Sequence, residues 1–222
     1  MTQLRPIPAG IVERFKRVQT GVVCDALGRL GLAGWMDGLH PAKFGAKMAG
    51  RARTLQFGRP EGPSAPAFNV YEIIRGLDPG DVLVFSTGRA PSWIFGENMA
   101  HAAMYQGAAG MVTDSRTRDG AELAELAMPC FSAGRAVRPP AGLQIVAVDV
   151  PVTCAGAAVA PGDLVVGDTD GLLAVAAARL ADVLLQVEDL DMLERMQEAA
   201  IRDRVSLPEL VAVLQKKKVL KT

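Results

Sequence analysis

Histidine is scarce in this sequence. His40 and His101 are the two among 222 residues, so a histidine-rich metal cage or a Ser-His-Asp triad is hard to build. Chemistry here has to rest on carboxylates, arginine, backbone amides and a hard metal ion. Such groups concentrate in Gly96-Glu97-Asn98-Met99-Ala100-His101 and in VTDSRTRDGAEL at 112–123. Gly96 opens a helix after the apolar Trp93, Ile94 and Phe95, and free N–H groups at a helix start suit a carboxylate ligand. Glu97 falls in the first turn, where compensation of the helix dipole explains an acid on spacing alone. Arg118 and Asp119 stand between a strand at 110–113 and a helix, the position where open α/β sheets bind ligands. Arg118 can fork onto a carboxylate and Asp119 can ligate a hard divalent cation. Taken alone, the dipeptide is better explained as a surface charge followed by an N-cap. His101 lies one helical turn after Glu97, which suits packing or support of that acid better than catalysis. His40, in a loop before Pro41, carries no argument.

The elements that position these residues follow from periodicity and punctuation. Ile11, Val12, Phe15 and Val18 predict a helix over 8–18. Thr20 reads as the N-cap of a second helix, GVVCDALGRL, closed by Gly31. The stretch 32–47 is Gly-rich and irregular. Residues 48–57 alternate as a strand does, a Pro/Gly stretch at 58–66 breaks it, and 67–75 reads as a short helix. LDPGDVLVFS (77–86) and APGDLVVGD (160–168) each place a Pro-Gly-Asp turn before a β-branched run, the mark of a turn launching a buried strand. Between them fall helices at 97–107 and 120–127 and strands at 110–113, 129–132 and 144–150. DTDGLLAV is a tight turn into another strand. A long amphipathic helix at 177–202 follows, with Leu180, Val183, Leu184, Val187, Leu190 and Leu193 as its apolar stripe. Ser206 and Glu209 form a capping box for a helix at 207–216, and the lysines at 216–218 suit its last turn. This alternation predicts a layered α/β domain.

Composition narrows the function classes. Lys plus Arg and Asp plus Glu both number 24, giving a formal net charge of zero, which argues against a general nucleic-acid binder. Aromatics make up 5%, too few for base-stacking platforms. Cys24, Cys130 and Cys154 sit among apolar or small neighbours and read as packing thiols rather than nucleophiles or zinc ligands. The first residues lack an apolar signal core, and no uninterrupted apolar run approaches the ~18 residues of a membrane span. A cytoplasmic protein without membrane or nucleic-acid partners is the expectation.

The combination of GEN at 96–98, Arg-Asp with Asp119 placed 22 positions after Glu97, VTCAG, APGDLVVGDTDG and the long helix resembles the RraA-like family. That family contains class II pyruvate aldolases and regulators of ribonuclease activity. The resemblance covers about residues 20–200 and is strongest over 96–175. It implies a swivelling-type α/β domain at 1–175, with a helical extension at 176–222 packing on a neighbouring subunit of a trimer or dimer of trimers. It also implies that Arg118 contacts the pyruvyl portion of a 2-oxo acid and that Asp119 binds Mg²⁺ or Mn²⁺. Glu97, where the aldolase pattern has Asp, holds a metal-bound water. The loop at Gly96 and the amides of Asn98, Met99 and Ala100 take the substrate carboxylate. Glu194 enters the neighbour's site, with Glu188 and Glu198 on the same helix as alternatives. Trp93 and the loop 89–92 line the pocket for the leaving group.

The activity so implied is a metal-dependent lyase cleaving a 4-hydroxy-2-oxo acid such as 4-hydroxy-4-methyl-2-oxoglutarate to pyruvate through a metal-stabilised enolate. Oxaloacetate decarboxylation is the companion reaction. The alternative is a non-catalytic regulator that binds a ribonuclease or helicase. A methyltransferase, a third label attached to this family, lacks support because no Gly-rich cofactor loop follows an early strand. Thr20, Asp25, Asp168 and Asp170 also match family positions, but turn and cap roles explain them.

Overall fold

The structure is a computed structural model describing residues 3–60, 62 and 68–221. Helix α1 (Ala9–Arg17) starts directly after Pro8, whose fixed φ suits a helix entry. Helix α2 (Thr20–Arg29) is capped by Gln19, so Thr20 is its first residue rather than its N-cap. Thr20 instead gives its N–H (2.8 Å) and hydroxyl (2.7 Å) to buried Asp168, whose carboxylate also accepts the N–H of Asp170 at 2.9 Å. Gly31, at φ 64°, ends the helix as expected. The irregular stretch after it holds two short strands, β1 (Trp35–Met36) and β2 (His40–Pro41), each too brief to show a period.

Strand β3 (Met48–Gly58) is central, and its first eight residues are all buried, polar ones included. Its alternation therefore separates two covered faces rather than core from solvent. Arg51 bonds Asp81 (2.8 Å) and Asp78 (2.7 Å), and Arg53 makes a two-pronged pair with Asp149 (2.9 and 2.6 Å). Burial opposes the charge on Arg51, but the two aspartates outweigh it and the net shift is upward. Most of the Pro/Gly break lies outside the described residues, and the helix read at 67–75 spans Val70–Arg75 (α3), with Asn69 as N-cap.

The remaining elements are β4 (Asp81–Ser86), β5 (Trp93–Phe95), α4 (Glu97–Tyr105), β6 (Gly110–Thr113), β7 (Arg116–Thr117), α5 (Gly120–Glu125), β8 (Cys130–Ser132) and β9 (Gln144–Val148). They continue with β10 (Val152–Cys154), β11 (Ala157–Val159), β12 (Leu164–Gly167) and β13 (Leu172–Val175). A single 3₁₀ turn then leads into α6 (Leu180–Arg202) and α7 (Leu207–Lys216). Both Pro-Gly-Asp turns have the same build. Gly80 and Gly162 take φ of 92° and 94°, and Asp81 and Asp163 each accept the N–H three residues back.

The main sheet runs β1-β13-β12-β3-β4-β6-β8-β2, with β9 branching from β3. Strands β3, β4, β6 and β8 are parallel, and β12, β13 and β1 extend the sheet antiparallel. Period-two alternation sorts the side chains. Val82, Val84, Val112, Phe131, Val165 and Ala174 face a concave interior closed by the β10–β11 hairpin. Leu83, Phe85 and Met111 face α3, α4 and α5 on the outer side. Leu164, Val166, Leu173 and Val175 face α1, α2 and α6 on that same outer side. The sheet thus carries two helical wings outside and a hairpin inside, a mixed α/β architecture. No helix among the described residues is long and apolar enough to cross a membrane.

Candidate active site

The parallel strands β4 and β6 end together, and the loops beyond them meet at the start of α4. Strand β7 pairs with β5 so that Trp93 lies opposite Arg116, and the N–H of Arg118 donates to the carbonyl of Phe95 at 3.2 Å. This two-rung ladder brings Arg118 and Asp119 against Gly96. A Cβ on Gly96 would collide with Oδ2 of Asp119 and Cγ of Arg118, which accounts for glycine at a position whose φ of −143° any residue could adopt.

Asp119 occupies the N-cap position of α5 in a left-handed conformation, φ 57°, yet makes no cap bond to that helix. Its carboxylate accepts the N–H of Glu97 at 3.1 Å. It therefore caps α4, across 22 residues, instead of α5. The N–H of Ala100 donates to the carbonyl of Gly96 (3.1 Å) within the helix ladder. Among the described residues nothing accepts from the N–H groups of Asn98 and Met99, so these two amides are open to a ligand. Arg118 lays its guanidinium over the indole of Trp93, 4.2 Å from the ring centroid, with Nε 3.5 Å from Asp119. Stacking fixes the plane of the guanidinium while its edge stays half-exposed.

Glu97 turns its carboxylate back along α4 to His101, 3.4 Å from Nε2. His101 is half-buried and stacks on Tyr105 with ring centroids 5.5 Å apart. It meets the helix-spaced acid, as the i, i+4 spacing suggests. Glu194 is not brought to this cluster within one protomer. It lies on α6 in the other wing, ion-paired with Lys217, whose ammonium also meets Gln197 at 2.7 Å. Glu188 pairs with Arg14, and Glu198 is exposed.

Among the described residues no three His, Cys, Asp or Glu side chains cluster as a ready metal cage. The donor set on offer is the Asp119 carboxylate, oriented by one N–H and open on its other side. That fits Mg²⁺ or Mn²⁺, which keep several waters and take one or two protein carboxylates plus ligand oxygens. Cys130 and Cys154 are buried, and burial pushes both thiols up, Cys130 to about 12, so they pack rather than react. A cavity of about 370 Å³ between α1 and α6 holds Arg14, Glu188, Asp191 and Arg195, but these charges pair with each other. Asp114 and Ser115, at the end of β6, were not singled out in the sequence. The only local signal is an Asp-Ser directly after an apolar strand.

The profile of the RraA-like family, Aldolase/RraA, matches residues 20–174. The chain belongs to the RraA-like family. One relative is a Halalkalibacterium halodurans protein, named provisionally as a 4-hydroxy-4-methyl-2-oxoglutarate aldolase. It is 29% identical over 195 residues, covering 87% of this chain and 90% of the relative. The 4-hydroxy-4-methyl-2-oxoglutarate aldolase of Thermus thermophilus is 31% identical over 129 residues, 58% of this chain and 75% of the relative. Among solved structures, Streptomyces coelicolor RraAS2, described as an unusual member of the RNase ES inhibitor RraA protein family, superposes with a TM-score of 0.79. It shares 29% identity, covering 88% of this chain and 99% of that one. This RraA-like chain thus has relatives named for a lyase and relatives named for inhibition of a nuclease.

Proposed function

We propose that this protein is a divalent-metal-dependent carbon–carbon lyase. It would cleave a 4-hydroxy-2-oxo acid, of the 4-hydroxy-4-methyl-2-oxoglutarate kind, to pyruvate and would decarboxylate oxaloacetate. The observation that carries this reading is the side chain of Asp119, which leaves its own helix and joins Arg118 at the open amides of α4. The substrate carboxylate meets the N–H groups of Asn98 and Met99 at the positive end of the helix. Arg118 points its charged edge at the 2-oxo group and stabilises the negative charge that develops as the C3–C4 bond breaks and its electron pair moves onto the pyruvate enolate. Glu97 orients a water that takes the C4 hydroxyl proton and returns a proton to C3. Asp119 would hold Mg²⁺ or Mn²⁺, which when bound supplies Lewis-acid charge to the 2-oxo acid's oxygens.

The same reading assigns residues 1–175 to the RraA-like domain and 176–222 to an extension that packs on a neighbouring protomer of a trimer or hexamer. Leu207, Val211 and Leu214 of α7 and Met192, Met196 and Ile201 of α6 are exposed apolar residues on that extension. Glu194 would reach the neighbour's site from there, in a cytoplasmic enzyme. The similarity to RraAS2 favours a second reading, a regulator that binds a ribonuclease or helicase.

Pyruvate release, coupled to lactate dehydrogenase, separates the two. Metal-dependent pyruvate from 4-hydroxy-4-methyl-2-oxoglutarate or oxaloacetate, lost in EDTA, is the expected result. No pyruvate from either, with Mg²⁺ or Mn²⁺, would favour the regulator.

A further inference from the structure

The loop that follows β4 is tied down by one buried carboxylate. Asp114 is 2% exposed and accepts from the N–H of Thr87 (2.8 Å), the hydroxyl of Thr87 (2.6 Å), the N–H of Gly88 (3.1 Å) and the N–H of Arg89 (3.4 Å). Gly88 and Arg89 both sit at positive φ, 68° and 61°, which turns successive N–H groups into a concave anion cradle. The chain fills that cradle with its own carboxylate. Ser115 extends the clamp, its hydroxyl lying 2.5 Å from the carbonyls of Ala90 and of Ser92. The next residue is Trp93, the platform under Arg118.

We propose that Asp114 is a positioning residue for Arg118: by holding the Thr87–Ser92 loop it sets Trp93 under the guanidinium and so aims that group at the substrate. This deepens the lyase reading and rests on it for the role of Arg118. The carboxylate is needed because all four donors point at it. An amide in its place would turn an N–H toward the N–H groups of Gly88 and Arg89 and lose those bonds. Asp114 does not touch substrate in this scheme. It acts through the loop, so its loss degrades orientation, where a misplacement of about 1 Å costs about 100-fold in rate.

The test uses the full-length protein with Trp35→Phe, which leaves Trp93 as the single tryptophan of the two in the sequence. Acrylamide quenching of Trp93 is compared between the parent chain, Arg118→Ala as the uncovered reference, Asp114→Asn and Asp114→Gly. Both Asp114 variants should quench like Arg118→Ala, and kcat for pyruvate release should fall by about 100-fold. Formate, which fits the vacated cradle in Asp114→Gly, should restore both readouts. Thr87→Val, which at constant shape removes one donor to Asp114 together with the acceptor of the Ala90 N–H, should move both partway and covers the case in which the Asp114 variants do not fold. Trp93 quenching that stays at the parental value in Asp114→Asn and in Thr87→Val overturns the proposal whatever the activity does, because the β5–β7 ladder then suffices. A parent chain without lyase activity defeats the reading beneath, while the quenching still decides whether Asp114 sets Trp93.

Discussion

At Gly96 the fit between α4 and the Arg118-Asp119 pair leaves no room for a methyl group. Gly96→Ala must push both side chains aside. We expect about 1–3 kcal/mol of destabilisation from overpacking, read by thermal melting. Lyase activity should fall by about 100-fold, since orientation is lost with the geometry; a wild-type rate in this variant would mean that the pair's position does not matter. Arg118→Ala should remove nearly all activity with the fold intact, and Arg118→Lys should not restore it, because an ammonium neither stacks flat on Trp93 nor presents a planar edge. Asp119→Ala should erase stimulation by added Mg²⁺ or Mn²⁺ and leave α4 short of a cap. An unchanged metal titration would remove Asp119 from that role.

Among the elements, α7 has the most explicit local design. Ser206 and Glu209 form the capping box that the sequence suggests, with 3.0 Å from the Ser206 N–H and 2.9 Å from its hydroxyl to the Glu209 carboxylate. Those bonds from Ser206 favour the ionised form and hold the Glu209 pKa below its ordinary 4.5. A carboxylate whose pKa is depressed in the folded state stabilises it above the ordinary value and stops doing so as pH falls through the lowered one. Hydrogen exchange of the α7 amides should therefore quicken as pH drops below 4.5, after correction for intrinsic rates. Glu209→Gln keeps the box but has no charge to lose. Its α7 should show a flatter pH response than the wild type, and identical slopes would refute the capping account.

For the whole molecule, the two helical wings on the outer face of the sheet separate Arg118 from Glu194. Glu194 pairs with Lys217 in its own chain, and a shared site needs it to face a neighbour instead. Glu194→Ala should impair turnover without changing the assembly, read by light scattering. Mixed assemblies of Arg118→Ala and Glu194→Ala protomers should regain activity, because some interfaces then combine an intact Arg118 with an intact Glu194. Mixing that restores nothing would confine catalysis to one protomer.

Much of this protein is written in short-range pattern. The Pro-Gly-Asp turns, the stripe Leu180–Leu193, the Ser206–Glu209 box and the strand at 110–113 all depend on neighbours within a few residues, and all were legible in the chain. So was the cluster Gly96–Ala100 with Arg118 and Asp119, as residue types at a spacing. The paired strands of two or three residues, β1, β2, β5, β7, β10 and β11, were not, because a run that brief carries no period. The direction of a polar side chain was equally hidden. Asp119 serves a helix 22 residues back, Thr20 bonds Asp168 across 148, and Arg53 finds Asp149 across 96. Local rules offer each of these a nearer partner; burial overrules them for Thr20 and Arg53, while Asp119, 37% exposed, is carried to α4 by the pairing of β5 with β7. A charge or hydroxyl enclosed by the sheet and its helices must take whichever donor or acceptor the fold places beside it, since leaving it unpaired costs about 1–3 kcal/mol or more. That selection is made by topology, and it is what turns a spacing of acids and arginine into a site.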